Sequence, residues 1–218
     1  MRSKFDSELN ELHNNIVKMG SLCERAIELA IKCFENDGNE YRKDVKKIEK
    51  MIDEYESDIE KKCLKLLLHQ QPVAKDLRII SAILKMITDL ERIGDQALDI
   101  ANLSKYTKEI NEDLKLMAHE TINILKLAID SFVKSDLELA KEIILKDDII
   151  DNLFLKTRSD IIKLMKSDNE SFENALDSLM IAKYIERIAD HSVNVCEWVI
   201  FSITGLHKGE SYDSYSRR

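Results

Sequence analysis

One proline and five glycines in 218 residues leave this chain little material for turns. A sheet protein needs turn signals between its strands, and strand-type alternation is as scarce here as the turns, so an all-helical fold is the reading that remains. No uninterrupted apolar run approaches the length of a bilayer span, which excludes the membrane-spanning class. The opening residues, Met1 to Asp6, lead into polar sequence rather than an apolar leader core, and the protein is expected in the cytoplasm, peripheral to a membrane at most. The four cysteines form no C-x-x-C pair. Each falls among apolar neighbours at helical spacing, as in Met19, Cys23, Ala26, Ala30 and Cys33, and they read as reduced core residues.

A basic surplus is missing as well. Lysine and arginine number 33 against 41 acidic residues, a net charge of -8. Binding nucleic acid needs a basic face that displaces counterions, so nucleic acid is not an expected partner, whereas cations and basic protein surfaces are what such a field attracts. There is no Gly-rich phosphate loop and no nucleophile motif. None of the five histidines follows a glutamate by three residues, the pairing that a redox di-metal bundle would normally add. No enzyme is expected.

What the chain does have is periodicity. A first helix runs roughly from Ser7 to Asn36 on Leu12, Ile16, Met19, Cys23, Ala26, Ile27, Ala30 and Phe34. The break at Asn36 to Asn39 precedes a second, on Val45, Ile48, Ile52, Tyr55, Ile59, Cys63 and Leu66, which carries an acidic line of Glu49, Asp53, Glu56 and Glu60 beside its apolar stripe. The single proline, Pro72, precedes a third helix that ends near Leu103 and fits a first-turn position. A fourth holds Met117, Ile124, Leu125, Ala128 and Phe132, a fifth Ile143, Ile150, Phe154 and Ile161, and a sixth follows a capping-box pattern from Ser167 to Glu170.

The second half repeats the first. Phe34 and Phe132, like Asp53 and Asp151, are separated by a shift of 98 residues, and Glu91 and Glu186 by 95. Two tandem three-helix bundles, six helices in all, are therefore predicted over residues 1–105 and 110–204, with a flexible tail over 205–218.

The most informative stretch is Asp89 Leu90 Glu91 Arg92 Ile93 Gly94 Asp95, which returns as Tyr184 Ile185 Glu186 Arg187 Ile188 Ala189 Asp190. At about 100° per residue, Leu77, Ile80, Leu84, Ile87 and Leu98 share an apolar sector, and Arg78, Lys85, Asp89, Arg92 and Gln96 a polar one. Glu91 and Asp95 fall on the apolar side. In the second copy Glu186 and Asp190 do the same, with Lys183, Arg187 and His191 opposite. Carboxylates four apart on a helix repel by roughly 0.2 to 0.5 kcal/mol. Near a packing face they need a cation, a neighbouring Arg or Lys, or water to meet them. The repeat pairs Glu49 and Asp53 with Asp147 and Asp151 on the second helix of each half. Eight candidate ligands result: Glu49, Asp53, Glu91, Asp95, Asp147, Asp151, Glu186 and Asp190. All-carboxylate sets suit hard cations, with Fe, Mn or Mg ahead of Zn or Ca, and bridging carboxylates would permit more than one ion per site. Neutralisation by Arg92 and Arg187 is the structural alternative.

The stretches Gln70 Gln71 Pro72 Val73 Ala74 Lys75 Asp76 Leu77 Arg78 and Asp89 to Asp95, with the weaker echo Ile185 to His191, resemble the PhoU family of phosphate-uptake regulators, and the likeness covers both halves. The resemblance implies two three-helix bundles in tandem, metal clusters on the eight acids above, and dimerisation. It also implies a regulatory adaptor that restrains phosphate uptake and phosphate-starvation signalling by contacting the phosphate ABC transporter and a membrane sensor histidine kinase. Asp147 for Glu and Ala189 for Gly are departures of the second half from the pattern. The alternative function is a metal-free helical scaffold, or an accessory protein of a non-ABC phosphate or ion transporter.

Overall fold

Apolar residues recurring every three or four positions bury one stripe of each helix, and six such stripes close on one another in the computed structural model, which describes residues 2–34, 38–69, 72–107, 110–167 and 172–206. The helices are α1 (Arg2–Lys32), α2 (Asn39–His69), α3 (Ala74–Leu103), α4 (Glu112–Lys134), α5 (Leu137–Ser167) and α6 (Phe172–Thr204), and no strand occurs among the described residues. Within each half every helix touches the other two. Two three-helix bundles in tandem are the architecture that the repeat implies.

Helix α1 starts at Arg2, ahead of the expected Ser7, because Phe5 extends the buried stripe one turn further back at 3% exposure. The start of α3 also differs. Its first residue is Ala74, so Pro72 stands outside the helix rather than in its first turn. The end is closed by Asp76, whose carboxylate accepts the Val73 N–H at 3.1 Å and so satisfies a donor the helix itself cannot. Helix α4 is capped by Asn111, which accepts from the Leu114 N–H at 2.9 Å. It ends at Ser135, in the left-handed region at φ +50°, and Asp136 at once caps α5 by accepting the Leu139 N–H at 3.0 Å. Ser167 is the last residue of α5, and the rest of the cap expected up to Glu170, residues 168–170, the Gln70–Gln71 pair and the tail from residue 207 lie outside the described residues.

The halves meet along α3 against α6 and α1 against α4, and the buried side chains of all six helices form one continuous hydrophobic cluster. Where α1 crosses α4, a Cβ on Gly20 would stand 2.8 Å from Ile129 Cγ1, so a side chain there would require Ile129 to shift. The α3–α6 seam departs from the helical-wheel reading. Gln96 is only 4% exposed, and the Asp89 carboxylate is largely buried against α6. Part of the sector of α3 that looks polar in sequence, Asp89 and Gln96, is therefore covered, while Lys85 and Arg92 remain exposed.

Candidate metal centre

Because α2 and α3 pack side by side, the acidic pair of each can meet the other. Glu49, Asp53 and Asp95 each offer a carboxylate oxygen, and these three atoms lie within 4.8 Å of one another. Gly94 makes the approach possible: a Cβ there would meet Ile52 Cδ1 at 2.9 Å, next in sequence to Asp53. Glu91, one turn before Asp95, is less exposed than Asp95, 20% against 37%. Its Oε2 is a buried oxygen without a hydrogen-bond partner. Arg92 Nε stands 3.5 Å from that oxygen, outside hydrogen-bonding geometry, and Arg92 Nη1 reaches Asp95 Oδ2 at 3.3 Å. The arginine alternative is thus realised in part, by an exposed guanidinium at the rim.

The electrostatics follow from the crowding. Burial, then the charges of Asp53 and Asp95, hold the Glu49 carboxyl above its usual range. Burial followed by Asp95 does the same to Asp53 and to Glu91. Glu56, the next acid along α2, is also raised, by burial and then by Glu60. Each of these groups is harder to ionise than in water, first because it is partly buried and then because its neighbours are negative, and a cation placed among them would offset that penalty. The donor set is all oxygen, at a spacing that a hard cation could bridge, with one buried oxygen left over on Glu91. The residues fit the group.

The second set is drawn together less tightly. Asp147, Asp151, Glu186 and Asp190 act on one another electrostatically: burial, then Asp190 and Asp151, push the Asp147 carboxyl up to about 6, and burial followed by Glu186 raises Asp190. Asp147 Oδ1 is a buried oxygen with no partner. Glu186, however, is turned onto a lysine. Lys183 Nζ lies 2.7 Å from Glu186 Oε1, contacts the second oxygen as well, and sits 5.4 Å from the centre of the Phe154 ring. Arg187 acts elsewhere, on Asp99 and Tyr184.

The sequence pattern missed the polar hub between the halves. Asp89 Oδ1 is 2.9 Å from His191 Nδ1 and accepts from Asn194 Nδ2 at 3.1 Å, while Oδ2 accepts the Trp198 indole N–H at 3.2 Å. The one available signal was that an acid in the first copy of the motif, Asp89, is replaced by Tyr184 in the second. The cysteines are buried thiols, and Cys23 donates to the Leu90 carbonyl at 3.2 Å.

A family model described as the PhoU domain matches twice, over residues 16–104 and 114–199. A protein of Clostridium acetobutylicum named phosphate-specific transport system accessory protein PhoU homolog is 34% identical over 210 residues, covering 94% of this chain and 96% of that protein. The Escherichia coli K12 protein named phosphate-specific transport system accessory protein PhoU is 28% identical, with 93% and 86% covered. Among solved structures, the phosphate transport system regulatory protein PhoU of Streptococcus pneumoniae superposes with a TM-score of 0.88 at 30% identity, over 94% of this chain and all of that one.

Proposed function

Because the chain belongs to the PhoU family, we propose that it is an accessory protein of a phosphate-specific transport system, acting as a regulatory adaptor rather than as an enzyme. In this reading it restrains phosphate uptake and phosphate-starvation signalling when phosphate is abundant. It does so by contacting the phosphate ABC transporter and a membrane sensor histidine kinase from the cytoplasmic side, as a homodimer. The observation that carries the reading is the relationship along both halves, which covers 94% of this chain and 96% of the Clostridium acetobutylicum protein. The absence, among the described residues, of any helix long and apolar enough to cross a membrane accords with a peripheral role.

The site supports a metal-binding adaptor. Glu49, Asp53 and Asp95 would hold a hard cation between α2 and α3, with Glu91 beside them, and Asp147, Asp151, Glu186 and Asp190 form the corresponding set between α5 and α6. Such an ion would supply positive charge to a packing face crowded with carboxylates and so fix the spacing of the two helices. The competing reading is a metal-free scaffold, favoured by Arg92 at the first set and Lys183 at the second.

Deleting the gene tests the assignment. In phosphate-replete cells, uptake and phosphate-starvation gene expression should both rise, and a point-by-point restoration should follow re-expression. Unchanged uptake and expression under excess phosphate would remove the protein from phosphate regulation. Co-purification from native membranes then identifies the partners.

A further inference from the structure

The two halves meet their acids with different cations. At the shift that relates α2 to α5, the line Glu49, Asp53, Glu56, Glu60 becomes Asp147, Asp151, Phe154, Arg158, so its last two acids are replaced by an aromatic ring and a positive charge. At the shift that relates α3 to α6, Thr88 becomes Lys183. These substitutions are coupled in space. In the first half Thr88 Oγ1 lies 3.5 Å from Glu56 Oε1; in the second, at the same two positions, the Lys183 ammonium lies over Phe154. The ring gives the lysine a face to rest on. From there its ammonium reaches both oxygens of Glu186.

We propose that Lys183, held by Phe154, is a built-in counter-cation that makes the second acidic set a poor competitor for metal, so that the first set is the protein's principal cation site. This rests on the metal-binding reading above. A metal ion entering the second set would have to displace an ammonium already bonded to Glu186, and would then sit beside its charge. At the first set the corresponding position holds a neutral threonine, and an additional acid, Glu56, adds to the field. Arg92 is the first set's own basic neighbour, but its guanidinium touches one oxygen each of Glu91 and Asp95 at 3.5 and 3.3 Å and leaves Glu49, Asp53 and Asp95 converging. Among the described residues the second set shows no such convergence of three oxygens.

The reciprocal exchange between halves tests this. Chelator-treated protein is titrated with Mn²⁺, with free ion followed by electron paramagnetic resonance and bound ion by elemental analysis after desalting. Wild type should show one tight class of site, abolished by Asp53→Asn and unaffected by Asp151→Asn. Lys183→Thr should create a second class, tighter than the wild-type second set by about 10- to 100-fold, the range seen when groups around metal ligands are changed. Phe154→Glu combined with Lys183→Thr should tighten it further. Thr88→Lys should weaken the first class by a similar factor. Thr88 and Lys183 are both exposed, so neither exchange burdens the core, and circular dichroism confirms that each variant folds. Equal, independent Mn²⁺ binding at both sets in wild type, or no change in stoichiometry or affinity on Lys183→Thr, overturns the inference while leaving metal binding intact. If neither wild type nor any exchange variant retains Mn²⁺, the metal reading itself falls, and this inference with it.

Discussion

Asp89 Oδ1 and His191 Nδ1 lie 2.9 Å apart, joining the helix that carries Glu91 and Asp95 to the helix that carries Glu186 and Asp190. With Asn194 and Trp198 on the same carboxylate, three donors from α6 converge on one acid of α3 in a largely buried seam. Asp89→Ala should strand them. Donors left without partners in such surroundings cost about 1 to 3 kcal/mol each at most, and a net loss of about 2 to 3 kcal/mol is expected. For a chain of this size that lowers the melting temperature by roughly 2 to 4 °C per kcal/mol. Asp89→Asn keeps the shape but turns an amide NH₂ toward one of the donors, and should fall between the two in a thermal melt.

Chelation should lower the melting temperature of the wild type. A ligand bound only by the folded chain stabilises it by about 2.7 kcal/mol at a hundredfold excess over its Kd. Replacing Glu91 and Asp95 by Gln and Asn removes two charges from the crowded face, so that variant should lose metal, match or exceed the stability of chelated wild type, and melt at the same temperature with or without chelator. Scanning calorimetry in the presence and absence of a chelator reads all three outcomes.

The Asp147 carboxyl should be visible in the pH dependence of the metal-free protein. Its pKa rises from 3.8 toward about 6 on folding, first through burial and then through Asp190 and Asp151. The folded state therefore holds this proton more tightly than the unfolded chain. The stability this confers is fully present below the unfolded value and is lost as pH rises through about 6. Compared with Asp147→Asn, chelated wild type should lose melting temperature between those limits. Parallel pH profiles for the two proteins would refute the shift.

Gly94→Val should separate α2 from α3. A Cβ at this position already meets Ile52 Cδ1 at 2.9 Å, and a branched side chain demands more room than the end of one isoleucine can yield. Overpacking of this kind costs about 1 to 3 kcal/mol. The loss should be accompanied by weaker Mn²⁺ binding at Glu49, Asp53 and Asp95, because Asp53 follows Ile52 and moves with it. Gly94→Ala should be milder, since Ala189 occupies the repeat-related position and an alanine also favours the helix.

What could be read in advance divides along physical lines. Helix number and the approach of Glu49 and Asp53 to Asp95 were legible, because a stripe at helical period and a repeat at fixed shift are properties of residue order. The α3–α6 seam was not. A wheel built from one helix assigns Asp89, Gln96 and His191 to solvent, since nothing in a single helix reveals that a second helix of like character will cover them. Lys183 was misplaced for a different reason: it was set opposite Glu186, yet the two are three residues apart, about 60° on the wheel, and such neighbours meet, so its ammonium reaches both carboxylate oxygens. Pro72 illustrates a third limit. Proline is at home in the first turn and also just before it, and only the carboxylate of Asp76 on the Val73 N–H shows which applies.

The register of α3 against α6 has a consequence for ancestry. Asn194 bonds to Asp89, and Tyr184 is hydrogen-bonded to Asp99. The shift of 95 that carries Asp89 onto Tyr184 also carries Asp99 onto Asn194, so the two bonds are images of each other under exchange of the halves. A surface that meets its own copy in this way is isologous, the form of contact that closes a symmetric pair of identical subunits. One half encoded alone would have carried both sides of that contact. Duplication and fusion of such a half would have turned an association that depends on concentration into one that does not. It would also have freed each copy to change alone, and the halves do differ at Asp89 and Tyr184, at Glu56 and Phe154, and at Thr88 and Lys183.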